Sequence, residues 1–188
     1  MKLRFLRLIL LPLLSPFCLQ AEDWPHWLGL EANGISSEVL PDKVELTNVI
    51  WTAEVGTGFS SLAVAAGRVY SMGHKDGKET VWCFSEKEGN LLWSDLYQAE
   101  LMPNLHEGGP GATPTVDGDR VYTMSKDGQL RVYEAASGTL VWEKDMLALS
   151  GMRGIPEWGF TASPLVSGDT LFVEAGATFA FDKSSGDE

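Results

Sequence analysis

From residue 60 onwards, apolar and polar side chains alternate with a period of two in short runs, and each run is broken by Gly, Asp or Asn. Such alternation marks strands with one buried face, and turn residues between the runs mark hairpins. The runs also recur. "SSLAVAAGRVYSMG", "ATPTVDGDRVYTMS" and "ASPLVSGDTLFVEA" share a small-residue start, an alternating strand, a turn at Gly67, Gly118 or Gly168, and a second strand. Downstream, "VWCFSEKEGNLLW" and "LRVYEAASGTLVW" align without a gap, which sets Gly89 on Gly138 and Trp93 on Trp142. A partial third copy, "TFAFDKSSGDE", puts Gly186 in the glycine slot. The period is about 50 residues, long enough for four short strands per unit. "DGKET" and "DGQL" are hairpin turns after the second strand, and "KEGN" and "ASGT" are turns after the third. One short helical turn fits within 145–158, "DMLALSGMRGIPEW", and "NVIWTAEV" reads as an orphan outer strand with Trp51 in the tryptophan slot.

A four-stranded unit repeated radially is the blade of a β-propeller, whose faces are buried only by stacking on neighbouring blades. The sequence therefore predicts an all-β fold of four-stranded antiparallel blades. Two complete blades span about 60–97 and 112–146, part of a third spans 161–188, and the strand at Trp51 belongs to a fourth. The propeller region is 48–188, and its ring is not closed by this chain. Trp51, Trp93 and Trp142 are expected to fill the space between adjacent blades, with Gly89, Gly138 and Gly186 as the glycines of the same docking motif.

The N-terminal part follows different rules. Lys2, Arg4 and Arg7 form a basic head before the uncharged run 8–21, a segment too short to span a bilayer and laid out like a secretory signal peptide ending at Ala21. Phe17 precedes Cys18, and its bulk speaks against a lipid anchor there. Residues 22–47 form an N-terminal extension in which Trp24, Trp27 and His26 are expected to pack against the outside of the propeller. Loss of residues 1–21 removes three positive charges and no negative ones, taking the net charge from −12 to −15. So acidic a chain, with Lys and Arg scattered singly, excludes nucleic acid as a partner. Cys83 is then the one remaining cysteine and is expected to be a small buried side chain.

The stretches "CFSEKEGNLLW", 83–93, and "VYEAASGTLVW", 132–142, keep the Gly and Trp of the pattern Ala-x-Asp-x-x-Thr-Gly-x-x-x-Trp. The chain thus resembles the quinoprotein-like β-propellers, with pyrroloquinoline-quinone (PQQ)-like repeats and a repeat design similar to the outer-membrane assembly lipoprotein BamB. Ser85 and Glu134 replace the motif's Asp, and Glu88 and Ser137 its Thr; Asp182 keeps the acid. Propellers of this kind commonly close about eight blades, so the chain resembles the N-terminal part of a longer one. For enzymatic members the resemblance implies PQQ, calcium, a catalytic Asp and often an adjacent Cys-Cys pair. This sequence has no Cys-Cys pair and no calcium-loop pattern, so no catalytic residue, cofactor or metal ligand is assigned.

His106 and Glu107, in "NLHEGGPGATPT", are the first candidates for chemistry. Neighbours on extended chain point to opposite sides and cannot chelate one ion together. In repeat register they precede the innermost strand, beside the central channel where propellers hold ligands. Glu157 and Trp158 occupy the same place one blade on, and Trp158 with Phe160 would suit a carbohydrate. His74, at a hairpin tip, is expected to be solvated. The sequence thus reads as an exported binding or scaffold module for envelope or secreted proteins. The alternatives are part of a quinone-dependent alcohol or sugar dehydrogenase, or a carbohydrate-binding propeller.

Overall fold

A computed structural model describes residues 22–40, 42–43, 48–103 and 107–188. The signal-peptide reading, Cys18 and His106 fall outside the described residues. Among the described residues, eleven strands form three antiparallel sheets, with one short helix between the second and the third. The first blade runs β1 (Ala63–Ala65), β2 (Arg68–Lys75), β3 (Lys78–Ser85) and β4 (Leu91–Gln98), paired in that order. The second repeats it with β5 (Thr115–Asp117), β6 (Arg120–Met124), β7 (Gln129–Glu134) and β8 (Leu140–Asp145). After α1 (Met146–Ser150), the third sheet holds β9 (Leu165–Ser167), β10 (Thr170–Glu174) and β11 (Thr178–Asp182). The helix is one capped turn. Asp145 Oδ1 accepts from Ala148 N at 3.0 Å, and Gly151, at φ 66°, ends it.

Local chemistry explains the repeated hairpins. The β2–β3 turn places Asp76 and Gly77 at φ 54° and 76°, the two positive values a tight turn between twisted strands demands. The third-strand turn is built identically in all three blades. The N–H of Gly89, Gly138 and Gly186 donates to the carbonyl four residues back, at 2.8, 2.9 and 2.8 Å. At Ser85, which replaces the usual Asp, a hydroxyl takes over and accepts from Glu88 N, whereas Ser137 Oγ accepts from Thr139 N just as Ser185 Oγ accepts from Asp187 N in the blade that keeps the Asp. In the third blade the Asp182 carboxylate accepts from the N–H groups of Ser184 and Ser185, which holds its pKa below the usual range.

Both complete blades break register at the same repeat position, between Cys83 and Phe84 and between Val132 and Tyr133. The extra residue opposite each break is Leu92 or Val141, next to the tryptophan. A bulge there turns the strand and aims the following side chain out of its own sheet. The Trp93 ring consequently lies over Gly138 of the next blade, as Trp51 lies over Gly89 and Trp142 over Gly186. A Cβ added to those glycines would fall 2.5, 2.4 and 3.0 Å from the rings. The indole N–H of Trp51 donates to Glu86 O at 2.8 Å and that of Trp93 to Ala135 O at 2.9 Å, whereas the buried N–H of Trp142 has no partner. The two apolar cores lie between sheets rather than within them. One joins Tyr70, Val81, Cys83 and Trp93 to Val121 and Tyr133, and the other joins Tyr122, Leu130 and Val132 to Phe160, Leu171 and Phe181.

Three expectations are corrected. The N-terminal extension lies along the innermost strands, not the outside: Trp24 bridges Val64 of β1, and Pro25 O accepts from Val116 N of β5. The innermost strands are short and leave backbone groups on the channel side, which the arm satisfies. His74 is buried in β2, where its main chain bridges Thr57 and its Nε2 lies 2.8 Å from Ala99 O. The segment 48–55 is irregular rather than a strand. It is held on the first blade by side-chain contacts, among them Trp82 Nε1 donating to Val55 O at 3.0 Å. A Cβ on Gly73 would fall 1.8 Å from that same carbonyl. Gly73→Ala is therefore expected to detach this segment and cost about 1–3 kcal/mol, the usual range for overpacking, with faster amide exchange confined to residues 51–57 as the check.

Candidate functional site

Three segments lead from one blade into the innermost strand of the next, and they stack as successive steps. Phe59 N and Ser60 N both donate to Pro110 O, at 2.7 and 3.0 Å, and Thr113 N donates to Ser163 Oγ at 2.9 Å. Backbone approaches backbone closely here. A Cβ on Gly109 would fall 2.3 Å from Thr57 O, so only glycine lets the steps meet. The steps enclose a cleft of about 280 Å³ lined by Phe59, Gly109, Gly111, Trp158 and Thr161. Phe59 and Trp158, which line it, keep 56 % and 45 % of their surface exposed. Two aromatic faces over a glycine floor can seat an apolar or planar group. No lining side chain can exchange a proton, so the cleft itself offers binding and not acid–base chemistry.

A polar layer lies between the first two blades and connects through Lys126 to Phe160, two residues after Trp158. Glu79 of β3 is fully buried. Its Oε2 accepts from Tyr97 Oη at 3.2 Å and its Oε1 from Lys126 N at 3.4 Å. Burial, followed by the nearby Asp127 carboxylate, pushes the Glu79 carboxyl up to about 7 against the opposing pull of Lys126. Alongside it Asp95 accepts from Arg131 Nη1 at 2.7 Å and Tyr133 Oη at 2.8 Å, and the Arg131 guanidinium lies 4.4 Å above the Tyr97 ring. Cys83 is buried, and that burial raises its thiol pKa to about 11 and keeps it protonated.

Of the residues singled out in the sequence, Trp158 lines the cleft. Glu107 and Glu157 are exposed and do not line it. Phe160 is corrected from the channel mouth to the core: its N–H donates to Lys126 O at 2.7 Å and its ring packs on Gly128. Phe59, which aligns with Phe160 in the repeat, carries the second aromatic face. The shared Gly-Phe pair was visible in the sequence. What separates them is the N–H partner, Pro110 for Phe59 and Lys126 for Phe160, which turns one ring outward and the other inward. Glu79 gave no signal, because its environment comes from a neighbouring blade.

Four- and three-stranded antiparallel sheets, stacked with their apolar cores between them, define a β-propeller. A family profile described as outer membrane protein assembly factor BamB matches residues 45–148 and again 77–188. The chain belongs to that family of PQQ-like-repeat propellers. It is 21 % identical over 170 residues to a polyvinylalcohol dehydrogenase of Sphingopyxis sp. (strain 113P3), a match covering 84 % of this chain and 26 % of that protein. Among solved structures, it is similar to quinohemoprotein alcohol dehydrogenase from Comamonas testosteroni (TM-score 0.63, 18 % identity, 88 % of this chain and 26 % of that one). It is also similar to a europium-containing methanol dehydrogenase (TM-score 0.56, 15 % identity, 74 % and 26 %). The chain thus spans about a quarter of the length of the curated relative it matches.

A quinone could stack on Phe59 or Trp158, but a calcium ion needs several oxygen donors at one point. The cleft lining supplies no carboxylate, and among the described residues no three His, Cys, Asp or Glu side chains converge. The described residues therefore do not fit a quinone–calcium pair. No helix of the described residues is long and apolar enough to cross a membrane.

Proposed function

We propose that this chain is part of an exported propeller that works as a binding module, with other envelope or secreted proteins as partners and the Phe59–Trp158 cleft as the contact that anchors them. The observation that carries this reading is the chemistry of the cleft. It is aromatic, glycine-floored and free of titratable groups, which suits recognition of an apolar side chain. Membership of a family described by an assembly factor agrees with it, as does the basic head and apolar run of residues 2–21, read as an export signal.

Phe59→Ala and Trp158→Ala are each expected to weaken partner binding at least tenfold, the effect of truncating an exposed aromatic anchor. Co-purification and titration calorimetry against the recovered partner check this. Retained binding in both variants sinks the cleft as the anchor.

The resemblance to polyvinylalcohol dehydrogenase over most of the chain favours a second reading, in which the whole protein oxidises alcohols. That reading requires calcium-dependent quinone uptake and dye-linked oxidation of an alcohol by the whole protein. Absence of both removes it. A carbohydrate ligand is separated from a protein partner by titrating tryptophan emission with neutral oligosaccharides, whose quenching would disappear in Trp158→Ala.

A further inference from the structure

Both aromatic walls of the cleft trace back, through hydrogen bonds, to one buried pair of residues. Glu79 and His74 face each other across β2 and β3. On one side, the main chain of His74 exchanges two hydrogen bonds with Thr57, at 2.7 and 2.9 Å, and Thr57 stands two residues before Phe59. On the other side, Glu79 Oε1 accepts from Lys126 N. Lys126 O in turn accepts from Phe160 N at 2.7 Å, and Gly159 packs so tightly on Lys126 that a Cβ there would lie 2.7 Å from its carbonyl. Trp158 immediately precedes Gly159 in the chain. The first wall is therefore tied to the main chain of β2, and the second is linked to a Glu79 carboxyl oxygen through Lys126.

We propose that Glu79 is a positioning residue for the cleft, and that gain or loss of its proton shifts the Trp158 wall relative to the Phe59 wall. This rests on the cleft being the binding site only for its use; the movement itself is independent of any ligand. An ionised carboxylate grips the Lys126 N–H more strongly than a neutral acid does, because charge-assisted hydrogen bonds are shorter and stronger. Ionisation accordingly draws the turn Ser125–Gly128 towards the first blade and carries Phe160 and Trp158 with it. Protonation releases them.

Tyr97 on β4 donates to Glu79. Lys126 and Asp127 on the β6–β7 turn act through their charges in opposite senses. His74 on β2 is its cross-strand neighbour, with its ring committed to Ala99 O. Arg131 on β7 reaches it only through the Tyr97 ring, and is itself occupied by Asp95 and Glu143. Burial sets the midpoint near neutrality, since the Glu79 carboxyl titrates at about 7.

The test is fluorine NMR of the chain labelled with 5-fluorotryptophan, with the Trp158 resonance assigned by its loss in Trp158→Phe. Titrated from acid to alkaline pH without ligand, that resonance is expected to move through one transition centred near 7. Glu79→Gln, a neutral side chain that still accepts hydrogen bonds, abolishes the transition, and His74→Gln leaves it in place. Tyr97→Phe removes a donor that favours the ionised form and so moves the midpoint upwards, a readout that serves even if Glu79→Gln does not fold. A transition that persists in Glu79→Gln, one that vanishes only in His74→Gln, a midpoint unmoved in Tyr97→Phe, or no transition in the parent overturns the proposal. Loss of partner binding in Phe59→Ala or Trp158→Ala bears on the cleft alone, so the two ideas fail separately.

Discussion

Replacing Trp93 by alanine is expected to destabilise the chain by about 3–5 kcal/mol. Its ring is buried against the glycine of the next blade, flanked by Tyr70 and Tyr133 at 5.9 and 5.7 Å, and its N–H is satisfied by Ala135 O. Alanine removes that packing from both blades at once and takes away one of the two donors to Ala135 O, leaving Tyr70 Oη, at 3.1 Å, as the other. The same change at Trp142 costs less than half as much, because that ring is only half-buried and its N–H has no partner to lose. Trp142→Phe is close to neutral, since it removes a buried, unsatisfied donor. Urea unfolding of the three variants side by side measures the differences. Equal losses at Trp93 and Trp142 would mean that docking depends on the repeat motif and not on how completely each ring is enclosed.

The second large effect depends on pH. Glu79 binds its proton more tightly in the folded chain than in the unfolded one, so stability falls as pH rises from about 4.5 to about 7 and stays low above that. A shift of this size corresponds to about 3 kcal/mol, since each unit is worth about 1.4 kcal/mol. Glu79→Gln is neutral at every pH. It is therefore expected to be more stable than the parent by up to about 3 kcal/mol at pH 8, with the gap closing by about pH 4. Unfolding free energies at the two pH values check the sign. A gap independent of pH would show that packing, not ionisation, sets the cost of this residue.

The repeat made much of the architecture legible in advance. Strand spacing, hairpin residues and the shared Gly–Trp slots follow from local chemistry, and the helical turn at Asp145 followed from a stretch without period-two alternation. His74 was misread because "GHKDG" places it at the end of β2 by pattern, whereas its burial depends on Thr57 and Ala99, far apart in sequence. The N-terminal extension was misplaced for a similar reason: Trp24 and Pro25 go to the unpaired backbone of β1 and β5, and Trp27, also expected to pack, is exposed. Trp158, which lines the cleft, was singled out through its repeat position. Phe59 was overlooked because its aligned partner Phe160 packs inward. Glu79 looked like an ordinary polar residue on an alternating strand, and the β6–β7 turn that buries it belongs to the next blade.

Photo-crosslinking from inside the cleft tests the central claim most directly. With p-benzoylphenylalanine replacing Thr161 in cells of origin, binding through the Phe59–Trp158 cleft predicts a discrete protein adduct that disappears in the Trp158→Ala background and is absent when the probe stands at exposed Lys87. No adduct from position 161, or one that survives Trp158→Ala unchanged, would contradict it.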